Sequence, residues 1–360
     1  MRILLTGACG VTPRAIARSL RASEQLGDVT IVGTDCGETS YGFYEAIYDR
    51  VYRVPRADDP AYVEVFEHIC RTEAVDVAVV SPEIEVLFWS GREFPTPTLL
   101  PPLQTVRAAI SKKSVYQALR DTELIPKYSL VTRADLLARR GLVLDDGSAW
   151  LRDYSDASSS GLGAIHVSDA EQAYAWALLN PTIADYMVAE FLPGRNLACT
   201  MLFYRDTLLK VGCYERLEYF MGRLTVSGVT GNISRGRLVN DRDLERVGEQ
   251  AVRLISHQHN QPAHGLFTVD VREAADGTPR VTEINVRHTA GTSSLAAGGA
   301  NMAEAQVLAS LGRLDEIGDV TTAFPEDNLI LRDIDGEPLL IGSDRTLEVG
   351  AFTEPMGARK

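Results

Sequence analysis

Within its first hundred or so residues the chain alternates short apolar strands with amphipathic helices, and no other feature narrows the choice of fold as far. Arg2 to Thr6, Val29 to Gly33 and Val75 to Ser81 read as strands, and Pro13 to Ser23 and Ala61 to Glu73 as helices. Successive strands joined through helices pair in parallel, so this alternation predicts a small parallel α/β sheet. A proline cluster from Pro95 to Pro102 marks a boundary. Beyond it, Val106 to Thr122 is predicted as one helix carrying Lys112 and Lys113. A second α/β block covers roughly Pro126 to Ala189, and a strand-rich third runs from about Glu190 onward, with a helix over Asp241 to His257.

The glycines after the first strand test for a dinucleotide site. The GxGxxG pattern wants glycine at positions 7, 9 and 12, where the chain has Gly7, Cys9 and Thr12. Asp35 ends the second strand where a ribose-binding acid would stand. One glycine of the three predicts a Rossmann-like scaffold without a bound dinucleotide.

With 360 residues, 45% of them apolar and 24% charged, the chain is long enough for two or three domains. Its formal charge of −13 opposes nonspecific binding to nucleic acid or to an anionic membrane, both of which require basic surface. Five scattered cysteines without CxxC spacing suit a reducing compartment, and no apolar run approaches a membrane span. The expected location is the cytoplasm, and a homodimer is left open.

The densest chemistry lies in two predicted strands around Thr268-Val269-Asp270 and Arg280-Val281-Thr282-Glu283-Ile284-Asn285. The Asp276-Gly277 pair between them is a hairpin signal. Strict alternation puts Val281, Glu283 and Asn285 on one face and Ile284 on the other, and the hairpin brings Asp270 beside the acids. Two carboxylates and an amide oxygen make a hard oxygen site of the kind that holds Mg²⁺ through substrate phosphates. Arg287 shares that face and suits an anionic phosphate or carboxylate.

Three further segments match the needs of a nucleotide. Lys112 begins a helix and offers a mobile ammonium to phosphate oxygens. Trp150-Leu151-Arg152 leads into a loop containing Ser158, Ser159, Ser160 and Gly161, small residues whose amides can approach phosphates closely. Met187 to Glu190 is an apolar strand that runs through Phe191 and Leu192 to a Pro-Gly turn, and it can present backbone groups to an adenine. Arg235 and Arg237, on a glycine-bearing strand, suit a substrate carboxylate or acyl phosphate. His288 is placed at the rim of the site, and the small-residue run Gly291 to Asn301 at an acceptor pocket.

Taken in order, these segments resemble the ATP-grasp superfamily, in its carbamoyl-phosphate-synthetase-like, carboxylate–amine ligase form. The resemblance covers nearly the whole chain, and its most specific string is Glu283-Ile284-Asn285-Val286-Arg287 with the upstream Asp270. It implies a Rossmann-like pre-ATP-grasp domain over 1–108, a linker helix and lid over 109–189, and a C-terminal α+β subdomain over 190–360. It further implies that Lys112 and Arg152 contact the nucleotide phosphates while Ser158 to Gly163 fold over them. Backbone groups of Glu190 and Leu192, flanking Phe191, would meet adenine, and Asn196 stands at the ribose-binding position. Asp270, Glu283 and Asn285 would hold one or two Mg²⁺, with Mn²⁺ as a substitute, and Arg287 would steady an acyl phosphate.

Three residues depart from the family pattern. Arg152 replaces the lid lysine, Asp153 a proline, and Asn196 the hinge glutamate. The implied activity is ATP- and Mg²⁺-dependent joining of a small-molecule carboxylate to an amine. A carboxylase, a thiol-acceptor ligase or a nucleotide-binding protein without turnover are the alternatives.

Overall fold

A computed structural model describes residues 1–142, 147–154, 163–225, 228, 230–333 and 347–353. Three sheets organise it. In the first, β1 (Arg2–Thr6), β2 (Thr30–Asp35), β3 (Arg50–Arg53) and β4 (Val77–Val79) pair in parallel, in the order β3-β2-β1-β4. Helices α1 (Val11–Arg21), α2 (Tyr62–Thr72) and α3 (Glu83–Trp89) belong to this unit. Its strands are apolar on both faces, as a sheet covered on both sides requires. Near the other end of the chain, the short strand Phe352–Thr353 returns to pair antiparallel with β3.

The helix predicted over 106–122 is in fact two, α4 (Leu103–Ile110) and α5 (Lys112–Leu119). Ser111 is extended between them, and its hydroxyl accepts the Ser114 amide hydrogen as an N-cap. A serine that caps a new helix competes with helix continuation, which is why periodicity alone ran through the break.

The second sheet contains β5 (Tyr128–Thr132), β6 (Ala149–Asp153), β7 (Ile165–Val167) and β8 (Asp185–Glu190), antiparallel in the order β5-β8-β6-β7. It carries α6 (Arg133–Leu137) and α7 (Ala170–Leu179). Its own small core includes Val131, Leu136, Leu151, Ala173 and Val188.

The third sheet is antiparallel and long. It contains β9 (Asn196–Tyr204), β10 (Thr207–Tyr219), β11 (Ile233–Val239), β12 (Gly265–Glu273), β13 (Pro279–Asn285) and β14 (Ile330–Leu331), so the returning Phe352–Thr353 segment is β15. The order is β13-β12-β9-β10-β11-β14. One face packs on α8 (Arg242–His257), whose Leu244, Val247, Ala251, Val252 and Ile255 recur at helical spacing and are all buried. Each such Val, Leu or Ile contributes about 1.5–3 kcal/mol on burial. Part of the other face packs on α9 (Thr292–Ala297) and α10 (Met302–Ser310). The rest of that face carries polar side chains, Arg216 and Asp270 among them.

Two backbone details bear on the sequence expectations. Gly7 has φ +68°, and a Cβ there would stand 2.4 Å from Cγ of Pro82, so the turn after β1 is filled by the chain's own proline. Asp35 accepts the Cys9 and Gly37 amide hydrogens at 2.9 and 2.8 Å, which engages both its carboxylate oxygens. Among the described residues, no helix is long and apolar enough to cross a membrane.

Beneath α3, Glu85 is 6% exposed, and its Oε2 is buried without a hydrogen-bond partner among the described residues. Burial pushes its carboxyl up to about 7, against the Thr6 and Tyr62 hydroxyls that pull it down. A carboxyl raised in the native state gives stability that is complete below the ordinary range and lost as pH rises through about 7. The gap from 4.5 to about 7 is worth about 3 kcal/mol. Urea denaturation of Glu85→Gln and the parent should therefore differ little near pH 4.5, with the variant gaining an advantage of that order by pH 8. An advantage independent of pH would contradict the assignment.

Candidate active site

The polar patch on the third sheet begins with the pairing of β12 and β13. Asp270 stands directly opposite Glu283, and Thr268 opposite Asn285. The register then shifts: Val271 pairs with Val281, and Thr282 is left without a partner of its own. Its hydroxyl donates to the Asp270 carbonyl at 3.2 Å. This bulge corrects the alternation expected from sequence, because Val281 returns to the apolar core with Ile284 instead of sharing the face of Glu283. A bulge adds one residue to one strand and reverses the faces beyond it.

Each acid of the pair is met by cations from other elements. Glu283 is 3.4 Å from Nζ of Lys112 on α5 and 3.9 Å from Arg152 on β6. Arg152 also lies 3.5 Å from the Thr282 carbonyl and is 7% exposed. Period two turns Asp153 to the other face of β6, with its Cβ 3.3 Å from the Cβ position of Gly163. The arginine is therefore directed at Glu283. Asp270 is held at 2.5 Å by Arg216 on β10, and the Asn285 amide approaches its other oxygen at 3.5 Å.

Burial raises the Asp270 carboxyl above its usual range; Arg216 lowers it and Glu283 raises it again. Burial lowers the Lys112 ammonium, against the pull of Glu283. The result is a compact, nearly balanced set of charges in which two carboxylates lie side by side.

Arg216 is the residue that sequence reasoning missed. It bridges Asp270, the Asn196 side-chain oxygen at 3.1 Å and the Leu197 carbonyl at 3.2 Å. No local motif marks it, since its place follows only from the register of β9 and β10. The arginine expected in this position, Arg235, is not brought to the patch. On β11 it is Gly236 that pairs with Arg216, so Arg235 and Arg237 turn to the opposite face. There they meet Glu218 at 3.1 Å and Glu215 at 2.6 Å.

Arg287 lies beyond β13 and donates to the His288 carbonyl at 3.1 Å. His288 is not at a rim: it is 1% exposed, bonded to Thr292 and Gln306, and burial pushes it down to about 4. The run after Gly291 is not an open loop but α9, with Gly291 pressed on the Tyr214 ring. Ser158, Ser159, Ser160 and Gly161 lie outside the described residues.

At the end of β8, the Glu190 amide already donates to the Lys127 carbonyl at 2.9 Å, so it is not offered to a ring. Phe191 stacks on His166 with ring centroids 3.9 Å apart, and Leu192 is buried. Asn196 donates to the Tyr219 hydroxyl at 2.8 Å while accepting from Arg216.

No protein-family model and no curated protein matches the sequence. Solved structures match the fold. L-amino acid ligase from Bacillus licheniformis aligns with a TM-score of 0.60 at 15% identity, over 86% of this chain and 74% of its own. The ADP complex of N5-carboxyaminoimidazole synthetase from Staphylococcus aureus aligns at 0.57 and 13%, over 92% and 79%. A protein described as ATP-grasp from Archaeoglobus fulgidus aligns at 0.52 and 14%, over 84% and 87%. The chain has the ATP-grasp fold.

Removing one partner of the Arg216–Asp270 pair leaves the other charge poorly compensated. Arg216→Ala should cost about 3 kcal/mol in denaturant unfolding at pH 7, and adding Asp270→Asn should restore much of it. Strictly additive losses in the double variant would show that the two side chains do not act as a pair.

Proposed function

We propose that this chain is an ATP- and Mg²⁺-dependent ligase that activates a small-molecule carboxylate as an acyl phosphate and joins it to an amine. One observation carries the reading: Asp270, Glu283 and Asn285 gather on one polar patch, with Lys112, Arg152 and Arg216 supplied by three other elements. The relatives in fold point the same way, since one is named an amino acid ligase and another was solved with ADP. The reading extends to an active site assembled by residues 109–189 closing on 190–360, in a cytoplasmic protein.

The donor set suits Mg²⁺. Two carboxylates and an amide oxygen are hard ligands, and Asp270 and Glu283 stand directly opposite each other on paired strands, as two ligands of one dication would. When bound, the ion supplies neutralisation of phosphate charge. Asp270, Glu283 and Asn285 would then be its ligands, which frees Lys112, Arg152 and Arg216 from the carboxylates to grip the phosphates of ATP. Arg287 would hold the carboxylate as it takes the γ-phosphoryl group and steady the acyl phosphate that results. The chain's part in such a transfer is positioning and fixed charge, with no side-chain nucleophile. Phe191 and Leu192 would flank the adenine.

Phosphate release from ATP and Mg²⁺ across a panel of carboxylates and amines tests the reading, and release with no pair overturns it. A second reading, nucleotide binding without turnover, is favoured by Asn196, whose side chain is already engaged by Tyr219 and Arg216. Tight ATP binding with no acceptor-dependent ADP would establish it.

Glu283→Ala should lower turnover by about a hundredfold or more, beyond the cost in stability of leaving Lys112 and Arg152 without their acid. A near-normal rate at saturating Mg²⁺ would remove Glu283 from the site. Arg152→Lys should raise the Michaelis constant for ATP, since an ammonium cannot span both Thr282 and Glu283 as the planar guanidinium does. Unchanged ATP affinity by isothermal titration, in both this variant and Arg152→Ala, would exclude Arg152.

A further inference from the structure

Two sulfurs meet in the interior of the third sheet. Cys199 on β9 stands directly opposite Cys213 on β10. The Cys213 thiol donates to Sγ of Cys199 at 2.9 Å, and the two residues are 0% and 1% exposed. A thiol is a weak donor, so strand register and packing hold the sulfurs together, not the strength of that bond. The other three cysteines belong to the parallel-sheet unit: Cys9 follows β1, Cys36 follows β2 and Cys70 lies on α2.

The pair lies on the face that α8 covers. Gly248 of that helix sits over it, and a Cβ there would stand 3.4 Å from Cβ and 3.6 Å from Sγ of Cys199. Period two puts Ala198 and Tyr214 on the opposite face, where Asp270 stands across from Ala198. Chemistry at the sulfurs therefore leaves the polar patch untouched. Directly opposed residues on antiparallel strands have Cα atoms about 4.5–5.5 Å apart, within the roughly 4.4–6.8 Å that a disulfide spans. Joining the two side chains requires no movement of the backbone.

We propose that Cys199 and Cys213 are a reversible oxidation site, which hydrogen peroxide closes to an intrachain disulfide. One thiolate attacks a peroxide oxygen and the O–O bond breaks. Hydroxide leaves, takes up the thiol proton as water, and the sulfur becomes a sulfenic acid. The second thiolate attacks that sulfur, forming the S–S bond and breaking the S–O bond, and the second hydroxide leaves as water with the second thiol proton. Two thiols and one peroxide give one disulfide and two waters, the thiols being oxidised and the peroxide reduced. The adjacent thiol fixes the end point, because it reaches the sulfenic sulfur before a second peroxide does. Burial and the neighbouring Cys199 hold the Cys213 thiol well above its ordinary range, so the reduced pair reacts slowly at neutral pH. Once formed, the bond ties β9 to β10 in the ladder that carries Arg216. A closed loop restricts the unfolded chain, so the oxidised protein gains stability.

The folded protein is treated with hydrogen peroxide until the exposed Cys36 is oxidised; remaining thiols are then alkylated in denaturant and the chain is cut with trypsin. Trypsin separates Asn196–Arg205 from Val211–Arg216, so the disulfide appears as these two peptides joined, lighter than their sum by the hydrogens lost. The joined pair should be the main form of both peptides, and dithiothreitol should separate it. The proposal is overturned if both cysteines are recovered alkylated, if either is found as a sulfinic acid, if either is linked to another cysteine, or if the joined pair forms only in urea.

The oxidised protein should also unfold at a higher temperature than the reduced one. That difference should be absent from Cys213→Ala, which keeps a small apolar side chain in the core. A joined protein with no gain in midpoint overturns the tie between β9 and β10. Should Cys213→Ala fail to fold, reversal of the parent's gain by dithiothreitol replaces it as the control.

Discussion

Two carboxylates held side by side on neighbouring strands are the constraint around which this structure is arranged. Asp270 and Glu283 face each other across β12 and β13, and like charges at that spacing oppose one another unless cations meet them. The cations come from distant parts of the chain: Lys112 from α5, Arg152 from β6 and Arg216 from β10. Compensating the pair therefore draws the second sheet and the α4–α5 linker onto the third sheet. The architecture of the patch and its charge balance are one problem with one solution.

Small backbone irregularities do much of the positioning. The break at Ser111 restarts the helix so that Lys112 occupies its first position, where it reaches Glu283. The bulge at Thr282 lets Val281 and Ile284 both enter the core while Glu283 stays on the polar face. An uninterrupted helix or a strictly alternating strand would satisfy local preferences equally well and would build no such cluster. Both irregularities occur where the fold serves the site, the usual place for local rules to yield.

The parallel sheet contributes in a different way. Its first turn, which resembles part of a dinucleotide fingerprint, is filled by Pro82 and by the Asp35 contacts to Cys9 and Gly37. At the start of α3, Glu85 turns into the interior while Glu83 stays half-buried. Acids two residues apart on a helix point in different directions, so one stays partly exposed while the other meets the core.

Much was legible in the chain itself. Strand–helix alternation specified the parallel sheet, and the Asp-Gly turn between apolar runs specified the β12–β13 hairpin, because both follow from local periodicity and turn chemistry. The cluster of Asp270, Glu283 and Asn285 was readable for the same reason, being three residues on two adjacent strands. Local pattern could not reach the partners brought by register. Arg216 and Arg235 are alike as residues in strands, and only the pairing of β10 with β9 and β11 turns the first toward Asp270 and the second away. His288 likewise looked like a rim residue until α9 and α10 closed over it. Sequence by itself determined most of the elements and the oxygen-rich character of one hairpin, since these depend on neighbours along the chain. Tertiary structure alone decided which charges meet, because strand register and the docking of three sheets set distances between residues that the chain keeps far apart.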